Sequence, residues 1–356
     1  MRHLAFLLPL LVALPVAAQT PPTPTAIMTA AVNEFIRPGF AQLATDTETL
    51  VGAMAGLCAT PSVATLDTAK TAFAGVAVSY GRIEFLRIGP LMQANRTDRL
   101  LFFPDRKGIA LRQVQAILAG DDASNTDATT LAGKSVAVQG LTALEFVLYG
   151  TDAETLTTAN GAFRCGYGSA IAQNMAAIAR DMTAEWNADG GTADHLMHPK
   201  PEYADYRTET EALEQLVGLV AHGVEAVRDA RLNPFIAKGD APAKPKLAIF
   251  WRSNLTVSML QANLSGLDDI MSRSAVARAV PEAHKDLYDA IQAEFAKGME
   301  AGGLITKPIE AAVADPAEAQ GFVAMVEATR TLQALIGDTL SSALGLSVGF
   351  SSMDGD

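Results

Sequence analysis

Val138-Gln139-Gly140-Leu141-Thr142-Ala143-Leu144-Glu145-Phe146-Val147-Leu148-Tyr149-Gly150 holds a single charge, Glu145, the only one between Lys134 and Asp152. Read as a helix, the stretch is apolar almost all round, and a helix of that kind is buried on every side. Its carboxylate must then find a cation, a hydrogen-bond donor or a proton. Thr142 sits one turn before Glu145 on the same face. The segment therefore predicts a packed helical protein with one polar point inside it.

The rest of the chain agrees with that reading. Long helical patterns run over about 27–56, 60–87, 134–149, 163–187, 203–231, 253–273, 281–298 and 316–344, with a shorter one at 108–118. Pro38 is expected to bend the first, Thr60-Pro61 to cap and open the second, and Gly89-Pro90 to end it. The stretch 91–107 reads as irregular, and Ser253 as an N-cap. No sustained period-two alternation occurs, and the apolar 49% of the sequence is mostly Ala, Leu and Val with only 6% aromatic residues. The fold class is all-α: two helical bundles arranged as a repeat of architecture, 27–190 and 203–356, divided at the Gly- and Pro-rich 188–202.

The N-terminus reads as an export signal. Arg2 and His3 precede an apolar run, Leu4–Val16, closed by Ala17-Ala18 before Gln19, too short to span a bilayer. Residues 1–18 are thus a cleavable signal peptide, 19–26 a proline-rich leader without order, and the location periplasmic. No later stretch is apolar for long enough to be a transmembrane segment. With 27 Lys+Arg against 39 Asp+Glu, the net charge of −12 argues against nucleic acid or anionic lipid as the main partner. Two cysteines, Cys58 and Cys165, in an exported chain favour one disulfide joining the end of the first long helix to the start of a later one.

A second segment places charge among apolar residues: Ser79-Tyr80-Gly81-Arg82-Ile83-Glu84-Phe85-Leu86-Arg87-Ile88-Gly89-Pro90. Glu84 and Arg87, three apart, would share a helix face. Glu84 and Glu145 either meet arginines (Arg82, Arg87, Arg106 and Arg252 are available) and lock the bundle, or line a ligand pocket. Burying several ion pairs is a costly way to hold a fold, which favours the pocket.

These segments also carry a family resemblance. Tyr80–Phe85 with Ile88-Gly89-Pro90, the loop Phe103-Pro104-Asp105-Arg106-Lys107-Gly108, the helix Gly140–Glu145 with its Leu148-Tyr149-Gly150 ending, Arg164-Cys165-Gly166-Tyr167 with Asn174, and the closing run 344–356 resemble the imelysin family in order along nearly the whole chain. The resemblance implies two bundles related as a pseudo-repeat, a functional site in the cleft between them, export, a link to iron acquisition and a peptidase label. This chain departs at one position. Where the family has Gly-x-His-x-x-Glu, the histidine is Thr142, while Gly140 and Glu145 remain. A threonine hydroxyl is a poor ligand for zinc or iron, which puts iron or another divalent metal as cofactor, and the peptidase label, in question.

The resulting expectation is an exported binding protein, leaning away from enzyme activity, linked to iron or related nutrient uptake. Its cleft is expected to be lined by Thr142, Glu145, Glu84, Arg82, Arg87, Gly140, Asp105, Arg106 and Arg252 and to hold a small polar ligand or metal, with other envelope or uptake components as partners. A metallopeptidase using Glu145 and an envelope docking protein are the alternatives. His195-Leu196-Met197-His198 has ligand-like spacing but reads as an exposed linker pair with no carboxylate fixed beside it. His222 and His284 are isolated, and Asp354 and Asp356 read as an acidic tail. No His-Glu-x-x-His, Gly-x-Ser-x-Gly or phosphate loop occurs.

Overall fold

A computed structural model describes residues 21–347. The signal peptide and the acidic tail with Asp354 and Asp356 lie outside the described residues. Helices follow one another as α1 (Pro24–Ala30), α2 (Arg37–Ala59), α3 (Val63–Ile83), α4 (Arg96–Leu100), α5 (Ile109–Gly120), α6 (Ala128–Ala132), α7 (Gly140–Tyr149) and α8 (Ala162–Trp186). Then come α9 (Thr192–Met197), α10 (Glu209–Ala226), α11 (Thr256–Ser274), α12 (Leu287–Gly303), α13 (Ile309–Ala312), α14 (Pro316–Gln333) and α15 (Ser341–Ala343). No strand forms among the described residues, so the all-α expectation holds.

Several boundaries differ from the sequence reading, each for a local reason. The leader is helical from Pro24, because Thr23 accepts the Ala26 N–H at 3.2 Å and proline suits the first turn. The second helix is capped by Ser62, not Thr60: Ser62 and Thr65 exchange side-chain and backbone bonds as a capping box. It stops at Ile83 rather than Arg87. The stretch 91–107 contains α4, the expected linker contains α9, and α11 starts after Leu255, leaving Ser253 free for another role.

Three long helices each pass through a π turn, at Ala31–Ile36, Val227–Leu232 and Ala334–Leu340. The first stands where Pro38 was expected to bend the chain. Proline has no N–H for the Glu34 carbonyl, and Arg273 from α11 donates to that carbonyl instead, at 3.2 Å.

One group of helices gathers around α2, which packs along α3 and α8, with α6 and α7 on α8. A second gathers around α12 and α14, with α10 and α11 against them. The two meet where α3 lies on α11, and a single continuous apolar core runs through both. The chain's first helix, α1, and the π turn after it lie against α9, α10 and α11, so residues at the start contribute to the second group. The disulfide Cys58–Cys165 forms as expected, with the Cα atoms 5.6 Å apart, tying the end of α2 to the start of α8. No helix among the described residues is long and apolar enough to cross a membrane.

Candidate functional site

The buried helix α7 is held at both ends by the residues that carried the family resemblance. Gly140 opens it at φ +73°, and a Cβ there would stand 2.4 Å from the Arg99 carbonyl oxygen, so only glycine fits. Gln139, fully buried, accepts from Asn174 at 2.7 Å and Arg99 at 3.3 Å and donates to the Lys134 carbonyl. The Tyr167 hydroxyl donates to the Val138 carbonyl at 2.7 Å. At the other end, the Arg164 guanidinium donates to the Phe146 and Val147 carbonyls, both at 2.8 Å, joining the Gly150 N–H on the first and answering the second, which the helix end leaves open. Gly140 is therefore a hinge of the backbone and does not line the site.

One face of α7 looks into a cleft of about 560 Å³. Its walls come from both halves of the chain: the loop at 103–108 with the first turns of α5, Thr142, Glu145 and Phe146 of α7, and a strap from the second π turn to Arg252. Asp105 lines it, but its carboxylate accepts the Ile109 and Ala110 N–H groups at 2.7 and 2.9 Å and so starts α5. Asp229 is likewise occupied, by Arg228 and Asn233. Thr142 donates to the Phe102 carbonyl at 3.4 Å.

Glu145, 4% exposed, is answered from the strap. The Ser253 N–H and hydroxyl both donate to its Oε1, at 3.0 and 2.9 Å. Burial pushes this carboxyl above the ordinary range, opposed by the two Ser253 bonds and by the nearby Arg252 charge. Of the partners weighed for Glu145, an arginine or a hydrogen-bond donor, the direct one is a donor, a serine 108 residues away in sequence. Arg252 stacks instead: its guanidinium lies 4.4 Å from the Trp251 ring centre and 5.4 Å from that of Phe146.

The turn presenting these groups is pinned. Phe250 and Asn254 have φ of +55° and +58°, an uncommon conformation for a bulky aromatic residue. Phe250 is buried edge-on against Phe73 of α3, and Thr256 donates to the Ile249 carbonyl at 2.6 Å.

Of the nine predicted site residues, Thr142, Glu145, Asp105, Arg106 and Arg252 meet at this cleft. The other four do not. Glu84 pairs with Arg231 at 2.8 Å, a partner outside the four arginines considered, and accepts from Asn263 at 2.9 Å. Because α3 ends at Ile83, Arg87 is no longer a helical neighbour of Glu84 and is exposed. Arg82 turns to Asp269 and Ser265 of α11. The Glu84–Arg231 pair sits one layer behind the cleft wall, since the Arg231 guanidinium lies over the Phe103 ring at 4.8 Å. Sequence reasoning missed Arg231, Lys238, Lys246 and the bonding role of Ser253; clustering of Lys238, Lys244 and Lys246 was the available signal. The exposed-pair reading of His195 also fails: its Nδ1 lies 2.8 Å from Asp205, and its ring stacks on Tyr203.

Set beside known proteins, the chain matches a family model described as imelysin (peptidase M75) over residues 36–336, and it belongs to the imelysin family. An imelysin-like protein from Psychrobacter arcticum 273-4 shares the fold, with a TM-score of 0.76, 17% identity, and 92% of this chain and 97% of that one covered. So does an iron-regulated protein A precursor from Parabacteroides distasonis ATCC 8503, with a TM-score of 0.71, 16% identity, and coverage of 93% and 98%. No curated protein matches.

A peptidase of this family implies a metal, and the donors here do not fit one. Thr142 presents a hydroxyl turned to a carbonyl, and Oε1 of Glu145 already takes two donors. Among the described residues, no three His, Cys, Asp or Glu side chains gather as a metal-holding group.

Proposed function

We propose that this is an exported, non-hydrolytic binding protein of the imelysin family, whose ligand occupies the cleft between the two helix groups in the service of iron or related nutrient uptake. The observation that carries this reading is the buried Glu145, whose Oε1 takes two bonds from Ser253 at the edge of about 560 Å³ of lined space, an arrangement that supports a ligand cleft over a metal centre. The N-terminal signal pattern and the disulfide support a periplasmic location. The link to iron is supported by the fold shared with a protein described as iron-regulated.

The test is thermal unfolding of the chain beginning at Gln19 with ferric citrate, Fe²⁺ and Zn²⁺, alongside a peptidase assay with and without chelator. A cleft ligand present at about 100 times its Kd stabilises the fold by about 2.7 kcal/mol. The expected result is saturable stabilisation by the anionic ferric complex, little response to the free ions and no peptide hydrolysis. Chelator-sensitive hydrolysis abolished by Glu145→Gln would instead establish the metallopeptidase.

A further inference from the structure

We infer that the ligand is an organic anion with a flat apolar body, its acidic group held by Arg252 and its body lying against Trp251 and Phe103. This inference rests on the cleft reading above and adds the ligand's chemical class.

The charge balance of the cleft carries it. In a chain of net charge −12, the walls hold four cations, Arg106, Lys238, Lys246 and Arg252, against three carboxylates. The carboxylates are already engaged: Asp105 by the start of α5, Asp229 by Arg228 and Asn233, Glu145 by Ser253. None of the four cations has a carboxylate within ion-pair distance among the described residues. A small excess of positive charge here, with no carboxylate in direct contact with any of the four cations, runs against the overall sign of the molecule, and it suits an anion arriving from outside.

Arg252 is the best placed of the four. It is half-buried and fixed between the Trp251 and Phe146 rings, on a turn held by the buried Phe250. Its charge lies over the Trp251 ring, and none of its guanidinium N–H groups bonds to a described residue, which leaves them for a partner. A planar fork immobilised before binding suits the two-oxygen edge of a carboxylate, sulfonate or phosphate, because little side-chain freedom remains to be lost.

The body of the ligand follows from the rest of the wall. Phe103, Trp251, Leu247 and Pro234 give the cleft an apolar lining, and Leu247 is 45% exposed, unusual for a large apolar side chain. Lys246 sits over Trp251 at 5.4 Å, so a second positive charge stands beside the same ring. A bare inorganic anion would leave this apolar surface in water, and a neutral aromatic would leave Arg252 unanswered.

The experiment is calorimetric titration of the disulfide-intact chain from Gln19 with 2-naphthoate, 2-naphthol, 2-naphthylmethylammonium and sulfate, with Trp251 fluorescence reporting cleft occupancy. Trp186, the only other tryptophan, is fully buried, so Trp251→Phe removes the reporter. The expected result is one site, with 2-naphthoate bound about tenfold or more tighter than each of the other three. Arg252→Gln should weaken 2-naphthoate about tenfold and leave 2-naphthol within about twofold. Because Arg252 also packs on rings, a second variant, Arg106→Gln/Lys238→Gln, changes only exposed side chains and should weaken the anion and flatten its salt dependence. Quenching of Trp251 by 2-naphthol or the ammonium as tightly as by 2-naphthoate would overturn the anion inference while leaving the cleft reading standing. No binding by any naphthyl probe would also overturn it, with the ferric citrate titration still deciding the cleft reading.

Discussion

At the residue scale, the molecule turns on how buried charge is answered. Glu145 keeps its carboxyl above the ordinary range because burial outweighs two Ser253 bonds and the Arg252 charge. Its contribution to stability is therefore intact below the usual glutamate range and is lost as pH rises through the raised folded value. Glu145→Gln, which retains an oxygen for Ser253, should be nearly neutral at acid pH and increasingly stabilising relative to wild type as pH rises, measured by urea unfolding at several pH values. Glu84 is answered by a direct ion pair. Its partner Arg231 is 7% exposed at the side chain, so Glu84→Gln leaves a buried guanidinium short of charge and should cost about 3 kcal/mol. That Glu145 is buried was legible from its isolation in an apolar helix. Its partner was not, because Ser253 reaches it only through the positive φ of Phe250, which nothing in the local sequence demands.

At the scale of elements, helix periodicity located nearly every long helix, and the ends depended on caps. Ser62 rather than Thr60 starts α3, because only Ser62 has Thr65 in place to return the bond. The early end of α3 had the larger consequence, since it separated Arg87 from Glu84 and dissolved a pairing that spacing alone supported. The joint between α3 and α11 depends on close approach. A Cβ on Gly266 would lie 1.9 Å from the Arg82 carbonyl oxygen. Gly266→Ala should force the two helices apart and destabilise the protein by about 3 kcal/mol, read as a lowered urea midpoint. An unchanged midpoint would show that the joint is slack.

At the scale of the whole molecule, two helix groups share one core, and a disulfide staples the first of them. Cys58 and Cys165 enclose a long loop, and the double serine variant should lose about 4–5 kcal/mol through the freed unfolded chain. Denaturant midpoints with and without reductant check this: reduction should reproduce the loss in wild type and do nothing in the variant. Composition and helical pattern made the all-helical fold legible, and two cysteines behind a signal-like N-terminus made the disulfide so. A pocket was legible from buried charge, but its place between the helix groups only through family resemblance. Its walls come from segments more than a hundred residues apart, and its lysines sit in a strap whose path no periodicity describes.

The central claim is that the cleft binds a ligand without a metal held at Glu145. The most direct test is metal analysis by mass spectrometry of untagged protein, wild type and Glu145→Gln, with 2-naphthoate titrated into both. The account predicts substoichiometric metal in both proteins, with 2-naphthoate bound by each within about threefold. Stoichiometric metal in the wild type that is lost in Glu145→Gln would contradict it and restore Glu145 as a metal ligand.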